Sequence, residues 1–200
     1  MPDNSDVDVI EQTTPYKGYF QIDRYRLRHR KHDGTWTRDI VRELFERGHA
    51  VGVLLYDPVR DTVLLIEQFR VGAYAAGLDA WQIEVVAGII DHGETPEQVA
   101  VRESLEESGC TVTELEPICK SLVSPGGATE TGTLVCGRTD LSAAGGQHGL
   151  HEEDEDIRAF VLPVDEALTL LFEGKVANAV TVIALQWLAL HRQDLKHRWA

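Results

Sequence analysis

Residues 95–109 hold a complete set of helix start and stop signals, and this segment constrains the fold more than any other. Thr95 is an N-cap, Pro96 stands at the first helical position, where its missing N–H is not needed, and Gln98 completes a capping box. Gly109 supplies the left-handed residue on which helices end. A helix is therefore expected over residues 96–108. Within it Glu103, Glu106 and Glu107 project within roughly a 100° arc, because residues three and four apart share a face. Three like charges so placed repel one another unless they are hydrated or joined by divalent cations. Hard oxygen ligands of this kind select Mg²⁺ or Mn²⁺ over thiophilic metals. Arg102, one turn before Glu106, can hold its carboxylate by a charge-assisted bond. Val101 and Leu105 on the opposite face are expected to anchor the helix in a core. The carboxylate face is then exposed, and Glu107→Gln should leave folding intact.

The flanking sequence reads as several strands around this helix. Residues 19–30 and 35–44 are rich in aromatic and β-branched side chains and flank Asp33-Gly34, a turn signal, so an N-terminal hairpin is expected. A second, more apolar hairpin spans residues 50–56 and 62–69 around Pro58. Residues 81–87 read as a short strand running into the glycine-bearing loop 88–93. Strands follow at 115–123, 131–138 and 157–162, and two helices at 165–173 and from 178 to about 192, the last apolar over most of its circumference and so expected to be buried. Strands bracketing one helix, with helices at the end, indicate an α/β protein with a mixed sheet packed between helices.

Composition narrows the function. The 200 residues, 43% of them apolar, are enough to fill a core. The net charge of −14 makes nucleic acid and anionic membrane surfaces poor partners. An anionic substrate would have to be met by a few local Arg or Lys residues and by metal ions on the surplus carboxylates. Cys110, Cys119 and Cys136 lack paired spacing and accompany no leader-like segment, which reads as free thiols in a reducing cytoplasm. The longest apolar stretch, residues 179–190, contains Gln186 and falls far short of the ~20 residues that span a bilayer.

The loop before the helix sharpens the reading. Gly88, Glu94, Arg102, Glu103, Glu106, Glu107 and Gly109 stand at the spacing of the Nudix box, G-x5-E-x7-R-E-U-x-E-E-x-G-U with U apolar. The segment resembles that box, departing from it at Ser104 and at the weakly apolar Cys110. The resemblance implies a Nudix fold, an α/β/α sandwich around a mixed sheet, and hydrolysis of a nucleoside diphosphate linked to another moiety with the help of Mg²⁺, for which Mn²⁺ could substitute. Pro125, sixteen residues after Gly109, resembles a signature of the branch that cleaves ADP-ribose. The likeness runs from residues 16–19 through residues 67–70 to the C-terminal helix, and it implies a homodimer formed through an N-terminal region, residues 1–48, with the Nudix domain at 49–200.

Carried over position by position, the resemblance gives Glu103, Glu107, Glu155 and the carbonyl of Ala87 as metal ligands, and Glu106 as a ligand or a ligand-orienting group beside Arg102. Glu153, in the acidic run 152–156, becomes the general base, with neighbouring Glu152 an alternative. Arg70, Arg42, Tyr19, Pro125 and Gly126 become substrate contacts. Taken alone, an acidic run is a solvated loop, Arg42 and Arg70 are surface ion-pair partners, and Tyr19 is core packing of the first hairpin. The expected reaction is hydrolysis of ADP-ribose to AMP and ribose 5-phosphate. Its rivals are hydrolysis of another nucleotide sugar such as GDP-mannose, and a module that senses ADP-ribose without cleaving it. Against the last stand the undamaged Arg102-Glu103 and Glu106-Glu107 set and a charge unsuited to DNA.

Overall fold

The computed structural model describes residues 5–150 and 154–199. Backbone proximity divides the chain into two units, Met1–His49 with Leu122–Thr131, and Ala50–Ser121 with Gly132–Ala200. The first unit is an antiparallel sheet in the order β1 (Val7–Lys17), β2 (Gln21–His29), β3 (Ile40–Glu46). β1 was not expected. Its register is held by charged and polar cross-strand pairs, Asp8 with Arg28 and Glu11 with Arg26, and by Gln12 and Thr14 donating to the buried Asp23 carboxylate. A strand built from such pairs leaves no apolar alternation to read. The strand expected at 35–44 is shorter and later; before it Trp36 makes an isolated antiparallel bridge to Arg30, with the guanidinium carbons of Arg28 and Arg30 5.2 and 4.8 Å from its ring centre.

The second unit is built on an eight-stranded mixed sheet. The expected hairpin is present as β4 (Ala50–Asp57) and β5 (Thr62–Phe69), but its strands pair only near the turn, Leu55–Asp57 against Thr62–Leu64. Beyond that they splay. A short helix not expected from the sequence, α1 (Val71–Ala75), leads to β6 (Trp81–Glu84) on β5 and then β7 (Val86–Ile89) on β4. The single strand expected over 81–87 is thus two, broken at Val85, whose N–H donates to Thr181 Oγ1 at 2.9 Å. α2 (Pro96–Ser108) follows, then β8 (Glu114–Leu122), β9 (Thr131–Arg138) parallel to β4, a three-residue β10 (Gly146–His148) and β11 (Ile157–Pro163). α3 (Val164–Phe172) and α4 (Ala179–Trp199) close the chain.

Both faces of the central strands are covered, which is why β4 and β5 read as continuous apolar runs. Leu54, Tyr56, Val63 and Leu65 face α3 and α4, packing with Ala167, Leu185 and Leu188. Val51, Val53, Leu55, Leu64 and Ile66 face α2 through Val99 and Ala100. The expected α/β/α layering is therefore observed. α4 runs seven residues past the expected end and buries one stripe, through Trp199, while Leu190 stays in solvent, so it is not apolar-packed all round.

At the β4–β5 turn Asp61, in the left-handed region at φ 59°, accepts bonds from Tyr56 Oη, Lys196 Nζ and Arg192, tying the turn to α4. Burial opposes ionisation of this carboxylate, but the bonds from Arg192, Lys196 and Tyr56 outweigh it and bring its pKa to about 2. A depressed carboxylate adds stability that is complete above its ordinary pKa of 3.8 and is lost as pH falls toward 2. Acid unfolding of Asp61→Asn should therefore lack part of the parent's loss between pH 4 and 2, on the order of 2 kcal/mol, as read by denaturant titration at each pH.

Charge is unevenly shared. The first unit holds nine Lys and Arg against ten Asp and Glu, and the second holds the remaining ten against twenty-three.

Candidate active site

α2 begins and ends where its caps require. Thr95 Oγ1 accepts from Gln98 N, Gln98 Oε1 accepts from Thr95 N at 2.8 Å, and Gly109 closes the helix at φ 67°. The residues facing the sheet are not the ones expected. Val101 and Leu105 are 45% and 58% exposed, whereas Val99, Ala100, Ser104, Glu107 and Ser108 are buried. The helix is turned so that part of its carboxylate side faces the sheet. Ser104, standing where the box has an apolar residue, is satisfied inside the core because its Oγ donates to Ala100 O at 2.6 Å, and Ser108 repeats the pattern one turn on. Cys110, the other departure, is buried in the same core. Neither replacement opens the packing.

Arg102 is the hub of the cluster. Its Nε and Nη2 each donate to Glu94 at 3.1 Å, and its Nη1 donates to Glu103 at 2.8 Å and to Glu106 at 3.1 Å. One guanidinium thus holds three carboxylates. The hydrogen bonds that Arg102 donates to Glu94 hold the guanidinium firmly protonated and keep Glu94 below the usual carboxylate range. Glu94 in turn accepts from Asp91 N, which fixes the loop before the helix.

Glu107 lies on the inner side of this cluster, only 5% exposed, with Oε2 accepting from Ala87 N at 3.0 Å. Desolvation pushes its pKa to about 8, against the bond from Ala87. The expectation of an exposed Glu107 is thus corrected, because the turn of α2 carries its side chain under the β7 backbone. Burial also raises Glu103, opposed by Arg102. Gly88 makes room for it: a Cβ at that position would lie 1.8 Å from Glu103 Oε1. The carboxylate rests directly on the peptide backbone, a place only glycine leaves open.

The remaining expected residues fall in both units. In the second, Glu155 Oε2 accepts from Leu150 N at 3.2 Å, and its charge adds to the upward shift of both Glu103 and Glu107. Glu153 and Glu152 lie outside the described residues. Arg70 stands at the start of α1, its positive charge felt by Glu107. Tyr19, Arg42, Pro125 and Gly126 belong to the first unit. Tyr19 is 88% exposed, so it does not pack a core; Arg42 Nη1 donates to Val41 O; Pro125 and Gly126 sit in a turn closed by Gly127 N on Ser124 O.

Two polar residues were missed. Glu84, buried on β6, takes both Nε and Nη2 of Arg70, at 2.8 and 2.7 Å. Gln68, buried on β5 two residues before Arg70, has an Nε2 with no partner among the described residues. For Gln68 the available signal was an amide inside an apolar strand; Glu84, at the end of a strand that is not apolar, offered none locally.

Together the carboxylates of Glu103, Glu106, Glu107 and Glu155 form a donor set of hard oxygens suited to a divalent cation. Burial raises Glu103 and Glu107 and the neighbouring carboxylates add to it, an imbalance that a bound cation would relieve. Among the described residues no three acidic, imidazole or thiolate side chains converge into a finished cage; Arg102 and Ala87 N instead take up part of the carboxylate oxygens.

The NUDIX domain model matches residues 46–186, and the chain belongs to the Nudix family. It is 47% identical over 196 residues to the ADP-ribose pyrophosphatase of Escherichia coli strain K12, covering 98% of this chain and 94% of that protein. It is 35% identical over 185 residues to the GDP-mannose pyrophosphatase of Cronobacter sakazakii, covering 92% and 95%. Among solved structures, an ADP compounds hydrolase superposes with a TM-score of 0.70 at 22% identity, covering 97% of this chain and 96% of that one.

Proposed function

We propose that this chain hydrolyses ADP-ribose at its diphosphate, giving AMP and ribose 5-phosphate. The observation that carries the reading is a box with its arginine and glutamates in place, the carboxylates gathered by Arg102, in a chain alike over nearly its whole length to an enzyme named for that substrate. Water attacks phosphorus, a carboxylate takes its proton, and positive groups offset the charge on the diphosphate oxygens. Glu153 is the base in this reading, and Arg70 and Arg42 meet the diphosphate. Tyr19, Pro125 and Gly126 bound the nucleoside. Glu103, Glu107, Glu155 and the Ala87 carbonyl would hold Mg²⁺ or Mn²⁺, which supplies charge neutralisation and a more acidic water. Glu106 and Arg102 keep those ligands in place. The exposed aromatic and apolar side chains of the first unit support a homodimer formed through it, and the three free thiols support a reducing, cytoplasmic setting.

The test is product analysis with ADP-ribose and GDP-mannose, each with Mg²⁺ and with excess chelator. AMP and ribose 5-phosphate, formed fastest from ADP-ribose and only with metal, are the expected result. Preferential release of GMP from GDP-mannose would keep the chemistry and overturn the substrate. Tight ADP-ribose binding without cleavage would make the chain a sensor.

A further inference from the structure

Arg70 is held more completely than a surface arginine requires. Its N–H donates to Ala80 O at 2.7 Å, its carbonyl accepts from Tyr74 N, and one whole edge of its guanidinium lies on Glu84 Oε2. The side chain is nevertheless 42% exposed, leaving Nη1 outside the Glu84 pairing. Glu84 is fixed in its turn. Its Oε1 accepts from Asn178 Nδ2 at 2.8 Å. The Asn178 Oδ1 caps α4 by accepting from Thr181 N and Oγ1, and Thr181 Oγ1 accepts from Val85 N, the residue after Glu84. The hydrogen bonds therefore close a ring that begins and ends on adjacent residues of one strand break.

A buried carboxylate in such a ring is a poor way to gain stability. Desolvating a charge pair costs about as much as the pairing returns, and an apolar pair of the same volume often does better. What a saturated, immobile carboxylate does provide is direction, because an arginine clamped along one edge has a single edge left for another anion. Side-chain ordering has then been met in advance of binding.

We infer that Glu84 is a positioning residue, which with Asn178 behind it aims the free edge of the Arg70 guanidinium at the anionic diphosphate of the substrate. The inference rests on the reading above that Arg70 meets that diphosphate. Glu84 itself touches no substrate.

The test is a double-mutant cycle on the metal-loaded enzyme, with KM and kcat for ADP-ribose and thermal unfolding measured for the parent, Glu84→Gln, Arg70→Ala and the double variant. Glu84→Gln keeps the volume and can still meet Asn178, but lacks the charge that orients Arg70. Its KM should rise about tenfold with kcat within about twofold of the parent, the pattern of lost binding. In the Arg70→Ala background the same change should move KM by less than about twofold, while any effect on unfolding persists in both backgrounds. A purely structural Glu84 would give the opposite, equal losses with and without Arg70, and would overturn the inference. So would an unchanged KM in Glu84→Gln beside a raised one in Arg70→Ala. An unchanged KM in Arg70→Ala would instead remove the premise that Arg70 meets substrate, and the two failures are distinguishable. Should Glu84→Gln not fold, Asn178→Ala leaves the Arg70 pair in place and removes its backing. It should raise KM about threefold, again only where Arg70 is present, and an equal rise without Arg70 would refute the inference.

Discussion

Glu107→Gln is expected to give a protein more resistant to heat than the parent at pH 8 and above, yet one whose turnover has fallen by more than roughly a hundredfold, beyond the loss usual for partners that only support a metal ligand. The two effects have one cause. Glu107 is a buried carboxylate with one backbone donor, and its pKa of about 8 lies far above the ordinary 4.5. Between those values the folded protein holds a proton that the unfolded chain has released, so this residue makes stability fall as pH rises from about 4.5 to 8, with a limiting slope of about 1.4 kcal/mol per unit. Glutamine keeps the bond from Ala87 N and carries no charge to desolvate, which abolishes that decline. It also abolishes the anionic oxygen. In the parent the same proton must leave before a cation can bind, so the apparent affinity for Mg²⁺ should climb up to tenfold per pH unit below 8 and level off above it. Calorimetric titration of cation across pH, beside unfolding curves of both proteins, reads every part of this. A variant with parental turnover would remove Glu107 from the ligand set.

Gly88→Ala should separate fold from site in a second way. The backbone at Gly88 is not in the left-handed region, so alanine is acceptable to the strand and even removes some unfolded-state freedom. Its methyl group, however, would stand 1.8 Å from Glu103 Oε1 and 2.1 Å from Cδ. The flexible Glu103 side chain must swing away, giving up the bond from Arg102 Nη1. The expected protein unfolds within a few degrees of the parent and loses turnover on the order of a hundredfold through displaced cation binding. Parental activity would mean that the position of Glu103 over the backbone is dispensable.

These two residues also mark what the sequence could and could not disclose. The helix over 96–108 was legible to the residue because every signal for it is local: the Thr95 and Gln98 box, Pro96 and Gly109. Which side of it faces the sheet was not. Helical patterning points Val101 and Leu105 inward, whereas the packed side carries Ser104, Glu107 and Ser108. Ordinary amphipathic logic fails where a binding site is built into the packing layer. The carboxylate cluster and its arginine were recoverable from spacing, since their partners lie within a few turns of one another. Glu84 was hidden because its second partner, Asn178, is 94 residues away, and nothing local distinguishes a clamped strand glutamate from a solvated one. β1 was hidden for a different reason: its register is set by ion pairs with β2, and these leave no period to detect.

The uneven sharing of charge bears on capture. A nucleotide sugar diphosphate is an anion, and the unit that carries the box presents it with more than twice as many acidic as basic side chains. Encounter is then uphill in the protein's own field, the reverse of electrostatic steering, and dissolved salt eases it by shortening the reach of that field. The same field enriches cations around the acidic face before any ligand arrives. Capture of an anionic substrate then depends on local positive groups at the site rather than on the net field of the unit around it.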